Sequence, residues 1–104
     1  MITLCIRYSI DQNQYQNFEA YARTWPDIIG RCGGELIGYF LPTKLAGPTN
    51  MALALINFPN LDAYEKYRDR LGNDPDAVAN VVEIERSGCI RNEERSFLRR
   101  IPRE

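Results

Sequence analysis

Residues 32–41 read CGGELIGYFL, and the order of their neighbours decides the fold. A glycine loop that cradles phosphate follows a strand and opens a helix, whose first amides then point at the anion. Here the order is reversed. Upstream, Tyr15, Phe18, Ala22, Trp25 and Ile29 recur at spacings of three and four, the single apolar stripe of a helix. Downstream, residues 35–41 read as a strand. The helix therefore meets the glycines with its carbonyl-rich end, which repels an anion, and no GK[ST] follows. Gly33 is expected in the left-handed conformation that closes a helix. Gly38, inside the strand, is expected to mark a bulge or a close approach of another backbone or a ligand.

The rest of the chain falls into place on both sides. Ile2, Leu4, Ile6 and Tyr8 alternate with Thr3, Cys5 and Arg7 as in a strand. Asp11 is placed to cap the first helix. Pro26 interrupts that helix, and Thr24 offers a cap for a restart, so a kink or break is expected there. Residues 42–50, with two prolines and a glycine, read as a loop. MALALINF (residues 51–58) is a third strand. Asn60 caps a helix in which Leu61, Tyr64, Arg68 and Leu71 share a face, Tyr67 flanks it and Gly72 ends it. Asp74-Pro75 opens a further helix, DAVANVVEIE. SFLRRI (residues 96–101) reads as the last strand. This order predicts one α+β domain over residues 1–104. Its architecture is the ferredoxin-like βαββαβ pattern, a four-stranded antiparallel sheet with helices on one face.

Helices cover only one face of such a sheet, and the other normally alternates with polar residues. MALALINF has no polar face: Ala52, Ala54, Ile56 and Phe58 oppose Met51, Leu53 and Leu55. In the second strand Leu36 and Phe40 oppose Ile37, Tyr39 and Leu41. The expected cover is a second copy of the same sheet, giving a homodimer by sheet-to-sheet packing.

Composition narrows the chemistry. The chain has no histidine, which removes His-based triads and His-ligated metals or haem. Cys5, Cys32 and Cys89 have no CxxC spacing and read as reduced thiols without an activating neighbour. No metal site and no cofactor are expected. With a net charge of -1 there is no bulk electrostatic case for nucleic acid or an anionic membrane. Arg91, Arg95, Arg99, Arg100 and Arg103 are diluted by Glu93, Glu94 and Glu104, and the third strand lacks RNA-stacking aromatics. No apolar run reaches transmembrane length and the N-terminus has no signal-peptide pattern, so the expected location is the cytoplasm.

The remaining candidates are aromatic. Trp25, Tyr39, Tyr64 and Tyr67 are placed to line a pocket between helices and sheet for an aromatic or planar ligand, and equally to pack as core. Arg68 is placed to hold a carboxylate there or to snorkel to the edge. Glu35, expected to point the same way as Tyr39, is either a base with a raised pKa or an exposed acid at a strand start. No residue is assigned as catalytic.

GGELIGYFLP (residues 33–42), NMALALINFPNLDAYEKYRDRL (residues 50–71) with DPDAVAN after it, and EERSFLRRI (residues 93–101) together resemble the NIPSNAP family. That family lies in the dimeric α/β-barrel superfamily of ferredoxin-like folds. The chain departs from the family's pattern at Cys32, where members often carry His. The resemblance implies a homodimer with its sheets face to face, and no catalytic motif to carry over. It leaves two functional classes open. One is a small-molecule binder with monooxygenase-like or isomerase-like activity needing no cofactor. The other is a non-catalytic adaptor acting as a dimer.

Overall fold

The computed structural model describes residues 1–102. Its elements are β1 (Ile2–Ile10), α1 (Tyr15–Cys32), β2 (Glu35–Phe40), β3 (Met51–Phe58), α2 (Leu61–Gly72), α3 (Pro75–Ser87) and β4 (Ile90–Leu98), with one 3-10 turn at Gln12–Gln14 before α1. The sheet order is β2-β3-β1-β4 and every pairing is antiparallel. The fold is ferredoxin-like, with all helices on one face.

Local chemistry sets the boundaries. Asp11 accepts from the Asn13 amide and Asn60 from the Ala63 amide. Asp74 accepts from the Asp76 and Ala77 amides, with Pro75 in the first turn of α3. Gly33 closes α1 at φ 106°. Gly34 serves packing instead. A Cβ there would meet Ile29 Cγ2 at 2.8 Å and Ile56 Cγ2 at 3.0 Å, so any side chain at this turn would displace packed core methyls.

α1 runs for 18 residues through Pro26, so of the expected kink or break the break does not occur. Pro26 sits on the exposed side, where water can satisfy the carbonyl it frees, while Trp25, Ile28 and Ile29 stay buried around it. Each such buried side chain contributes roughly 1.5–3 kcal/mol. On α2 the buried residue is Tyr67, 4% exposed, and Leu61 faces solvent. The helix is rotated so that Tyr67 packs on Phe58, ring centroids 4.8 Å apart.

Two strand readings are corrected. β4 begins at Ile90, six residues before the expected start at Ser96, and ends at Leu98. Gly88, at φ 68°, ends α3 and turns the chain directly into the strand. RNEERS then pairs with β1 as an edge strand whose polar residues include a Glu93–Arg95 ion pair. In β2 the register skips Ile37: Leu36 pairs with Ile56, Gly38 with Leu55 and Tyr39 with Ala54. This bulge puts Leu36 and Tyr39 on the same, helix-covered side and reverses the expected facing. Glu35 consequently points away from Tyr39. It lies on the open face, where its carboxylate accepts from Asn57 Nδ2 at 3.1 Å.

One polar cluster ties the helices together. Arg31, in the last turn of α1, grips Asp74 through two 2.8 Å hydrogen bonds and reaches Asp76 at 2.8 Å. The Arg31 guanidinium holds the Asp74 carboxyl at about 2, below the usual carboxylate range. Because the folded value is depressed, this stabilisation is present above about pH 4 and lost as the pH falls towards 2. Asp74→Asn keeps a capping oxygen but loses the charge pair. It is expected to lower the urea midpoint at pH 7, with the difference from the parent chain shrinking as the pH drops below 4, as urea titrations across that range would show.

Candidate ligand-binding cleft

Between the helices and the β1–β4 side of the sheet lies a cleft of about 670 Å³. Its floor follows from residue size. On β3 the helix-facing positions beside β1 and β2 are Ala52 and Ala54, paired with Tyr8 and Tyr39 respectively. Two small residues leave room for large rings next to them. Tyr8, Tyr39 and Tyr21 of α1 cluster there with centroids 6.3 to 6.4 Å apart, and Trp25 stands edge-on to Tyr21 at 5.6 Å. The far wall is α3, whose Val78, Val81 and Val82 border the cleft while remaining partly open to solvent. Tyr67 and Arg68 of α2 and the Glu93 and Arg95 side chains of β4 complete it.

Of the candidates read from sequence, Trp25, Tyr39, Tyr67 and Arg68 come together in the cleft. Tyr64 stands just outside the lining, packed between Phe58 and Phe97 at 5.3 and 5.0 Å and beside Arg95. Glu35 is on the opposite face of the sheet. Sequence reasoning missed Tyr8, Tyr21, Glu93 and Arg95. Tyr8 was legible as an inward strand residue; Glu93 and Arg95 were hidden in a segment too polar to read as a strand.

The electrostatics are those of neutral donors beside one ion pair. Burial pushes the Tyr8 and Tyr39 hydroxyls far above their ordinary value, and neighbouring tyrosines add to the effect. Burial likewise raises Tyr21, helped by the Glu93 carboxylate, and Tyr67, helped by Cys32. Burial alone would lower Arg95, but Glu93, 3.0 Å away, and Tyr64 more than offset it. The cleft therefore offers phenol hydroxyls whose protonated form is favoured by burial. Cys32 and Cys89 are also raised by burial, so neither is an activated nucleophile. Among the described residues no group of three or more His, Cys, Asp and Glu could hold a metal ion, and no helix is long and apolar enough to cross a membrane. In the basic segment, Arg91 pairs with Asp11 at 3.5 Å and Arg95 with Glu93, while Arg103 and Glu104 lie outside the described residues.

A raised folded-state value means that the protonated phenols add stability below about pH 10, and that this is lost as the pH climbs beyond it. Ultraviolet titration of the phenols should find Tyr8, Tyr39 and Tyr67 silent until the chain unfolds in alkali. Of the six tyrosines, no more than three should ionise while the fold persists.

Solved structures share this architecture. An Agrobacterium tumefaciens protein superposes with a TM-score of 0.83 at 23% identity, covering 95% of this chain and 92% of its own. A NIPSNAP family protein of the same organism gives a TM-score of 0.79 at 26% identity, with 93% and 82% covered. SnoaB, a cofactor-independent oxygenase from Streptomyces nogalater, gives 0.64 at 13% identity, with 98% and 94% covered, a likeness of fold alone. No curated protein sequence matches. The NIPSNAP family model matches residues 3–103, and the chain belongs to the NIPSNAP family.

Proposed function

We propose that this chain is a homodimer whose subunits each bind a small apolar or aromatic molecule in the cleft. The observation that supports the binding reading best is the cleft itself. A core under pressure to fill would close the space over Leu4, Ile6 and Ile56 with a large side chain. Instead, aromatic rings and three valines surround about 670 Å³ of open space. The likeness of fold to a cofactor-independent oxygenase suits a reaction that draws on the substrate's own reactivity. A reaction that moves a proton on the substrate would have the Glu93 carboxylate in the cleft as its acceptor. A purely adaptor role would leave this space without a purpose.

The dimer reading draws on the other face. The molecule measures 39 × 37 × 19 Å, and its least dimension is that of one sheet and one helix layer. Phe40 and Leu98 are 47% and 44% exposed, at opposite edges of the open face. Between them lie Met51, Leu53 and Leu55, half-buried, and Ser96 Oγ, buried with no hydrogen-bond partner among the described residues. A second sheet packed here would cover the apolar residues.

The neutral fluorophore N-phenyl-naphthylamine tests the cleft. Its emission should rise on binding, and Val81→Trp, which fills the mouth from a partly exposed position, should weaken binding at least about tenfold without lowering thermal stability. Unchanged affinity in that variant would move the site elsewhere. Sedimentation velocity tests the interface: Leu53→Glu should raise the dimer dissociation constant by about 100-fold, and an unaltered dimer would remove the sheet-to-sheet arrangement.

A further inference from the structure

We propose that the end of the cleft bounded by Arg68 and Arg95 is a carboxylate site, and that the ligand is an apolar monocarboxylate whose frame lies among the aromatic rings and the α3 valines. The inference rests on the cleft being a ligand site and names the charge of the molecule it takes.

Strand register puts charge where a core would be apolar. Leu4, Ile6 and Tyr8 of β1 line the cleft, and opposite them on β4 stand Phe97, Arg95 and Glu93. Paired residues of neighbouring strands point to the same side of a sheet, so all three β4 residues face the helices. The Arg95 and Glu93 side chains are only 35% and 32% exposed there. α2 brings a second guanidinium to the same end. Tyr64 packs edge-on to Phe97, ring centroids 5.0 Å apart. Arg68 lies one helical turn beyond Tyr64, on the same face of α2, and lines the cleft. Arg95 lies on the same face of β4 as Phe97, one side-chain repeat before it.

The charges leave one spare cation at that end. Glu93 is taken by Arg95 at 3.0 Å, and Arg91 by Asp11 at 3.5 Å. Among the described residues Arg68 has no carboxylate partner. Glu85, the remaining charged residue of the lining, belongs to the opposite end. It sits in the last turn of α3, where Gln14 Nε2 donates to the Ser87 carbonyl at 3.1 Å and Ile90 pairs with Ile10. From Leu4 to Ile10 along β1 is roughly 20 Å, at about 3.3 Å per residue. A guanidinium meets the two oxygens of a carboxylate with two parallel N–H donors. One spare positive charge suits a monoanion, whereas a dianion would keep an unneutralised charge beside Glu93. Trp25, Tyr39 and the α3 valines supply apolar surface for the rest of the molecule.

Calorimetric titration at about pH 8 with 1-naphthaleneacetate, 1-naphthaleneacetamide and 1-naphthyl phosphate tests this directly, since the three share a frame and are monoanion, neutral and dianion. The parent chain should bind the acetate about tenfold more tightly than the acetamide, and the phosphate no more tightly than the acetate. Arg68 is exposed at the rim, so Arg68→Gln leaves the core intact. It should bring the acetate close to the acetamide while leaving the acetamide unchanged, which a loss of packing would not do. Lys66→Gln removes the same charge from the same helix outside the cleft lining and should leave the preference intact. Equal binding of acetate and acetamide by the parent chain overturns the inference. So does tighter binding of the phosphate, survival of the preference in Arg68→Gln, or its loss in Lys66→Gln. If N-phenyl-naphthylamine binds and the acetate is no tighter than the acetamide, this inference alone falls. If neither the fluorophore nor any of the three binds, the ligand-site reading falls and takes this inference with it.

Discussion

The docking of α1 on the sheet is the contact on which the rest of the molecule depends. It buries Phe18, Tyr21, Trp25, Ile28, Ile29 and Cys32 in a single helix, and it requires a residue without a side chain at Gly34. A helix seated this firmly leaves the remaining helices to cover what it does not. They do so sparingly: α2 buries Tyr67, and α3 buries Ala77 and Ile84. The helix layer is dense over β3 and thin towards β4, and the cleft opens where it thins. Arg31 holds the thin part in place by joining the end of α1 to the start of α3 through Asp74. The same α1 carries Tyr21 and Trp25, so the contact that fixes the core also sets the floor of the cleft.

The sheet has a different problem on each side. On the helix side, Ala52 and Ala54 give room to the Tyr8 and Tyr39 rings, which border the cleft. On the open side, Met51, Leu53 and Leu55 alternate with those alanines along the same strand, so one eight-residue segment serves both surfaces. Our account assigns the first surface to a ligand and the second to another copy of the chain. They are separated by one sheet, and Tyr8 and Arg7 are adjacent residues pointing to opposite sides of it. A change at the subunit contact would thus reach the cleft through a single strand.

Much of this was readable before any coordinates. Gly33 as a helix end, Asn60 and Asp74-Pro75 as helix starts, and the order of strands and helices follow from capping chemistry and periodicity. The failures share a physical origin. The bulge at Ile37 turned Glu35 away from Tyr39, and strict alternation has no means of announcing an extra residue; Gly38 was the only hint. β4 was read short because an edge strand exposed on much of its surface tolerates RNEERS, and hydrophobic pattern is silent there. Glu93 and Arg95 were lost with it. Trp25, Tyr39, Tyr67 and Arg68 border the cleft, as large amphipathic residues do where a helix layer meets a sheet incompletely.

Native mass spectrometry of the freshly purified chain tests the central claim most directly, because it weighs assembly and occupancy together. The account predicts a species of twice the 12.0 kDa chain mass that retains an apolar small molecule or takes up N-phenyl-naphthylamine at one per subunit. A bare monomer at micromolar concentration, with no uptake of the fluorophore, would contradict it.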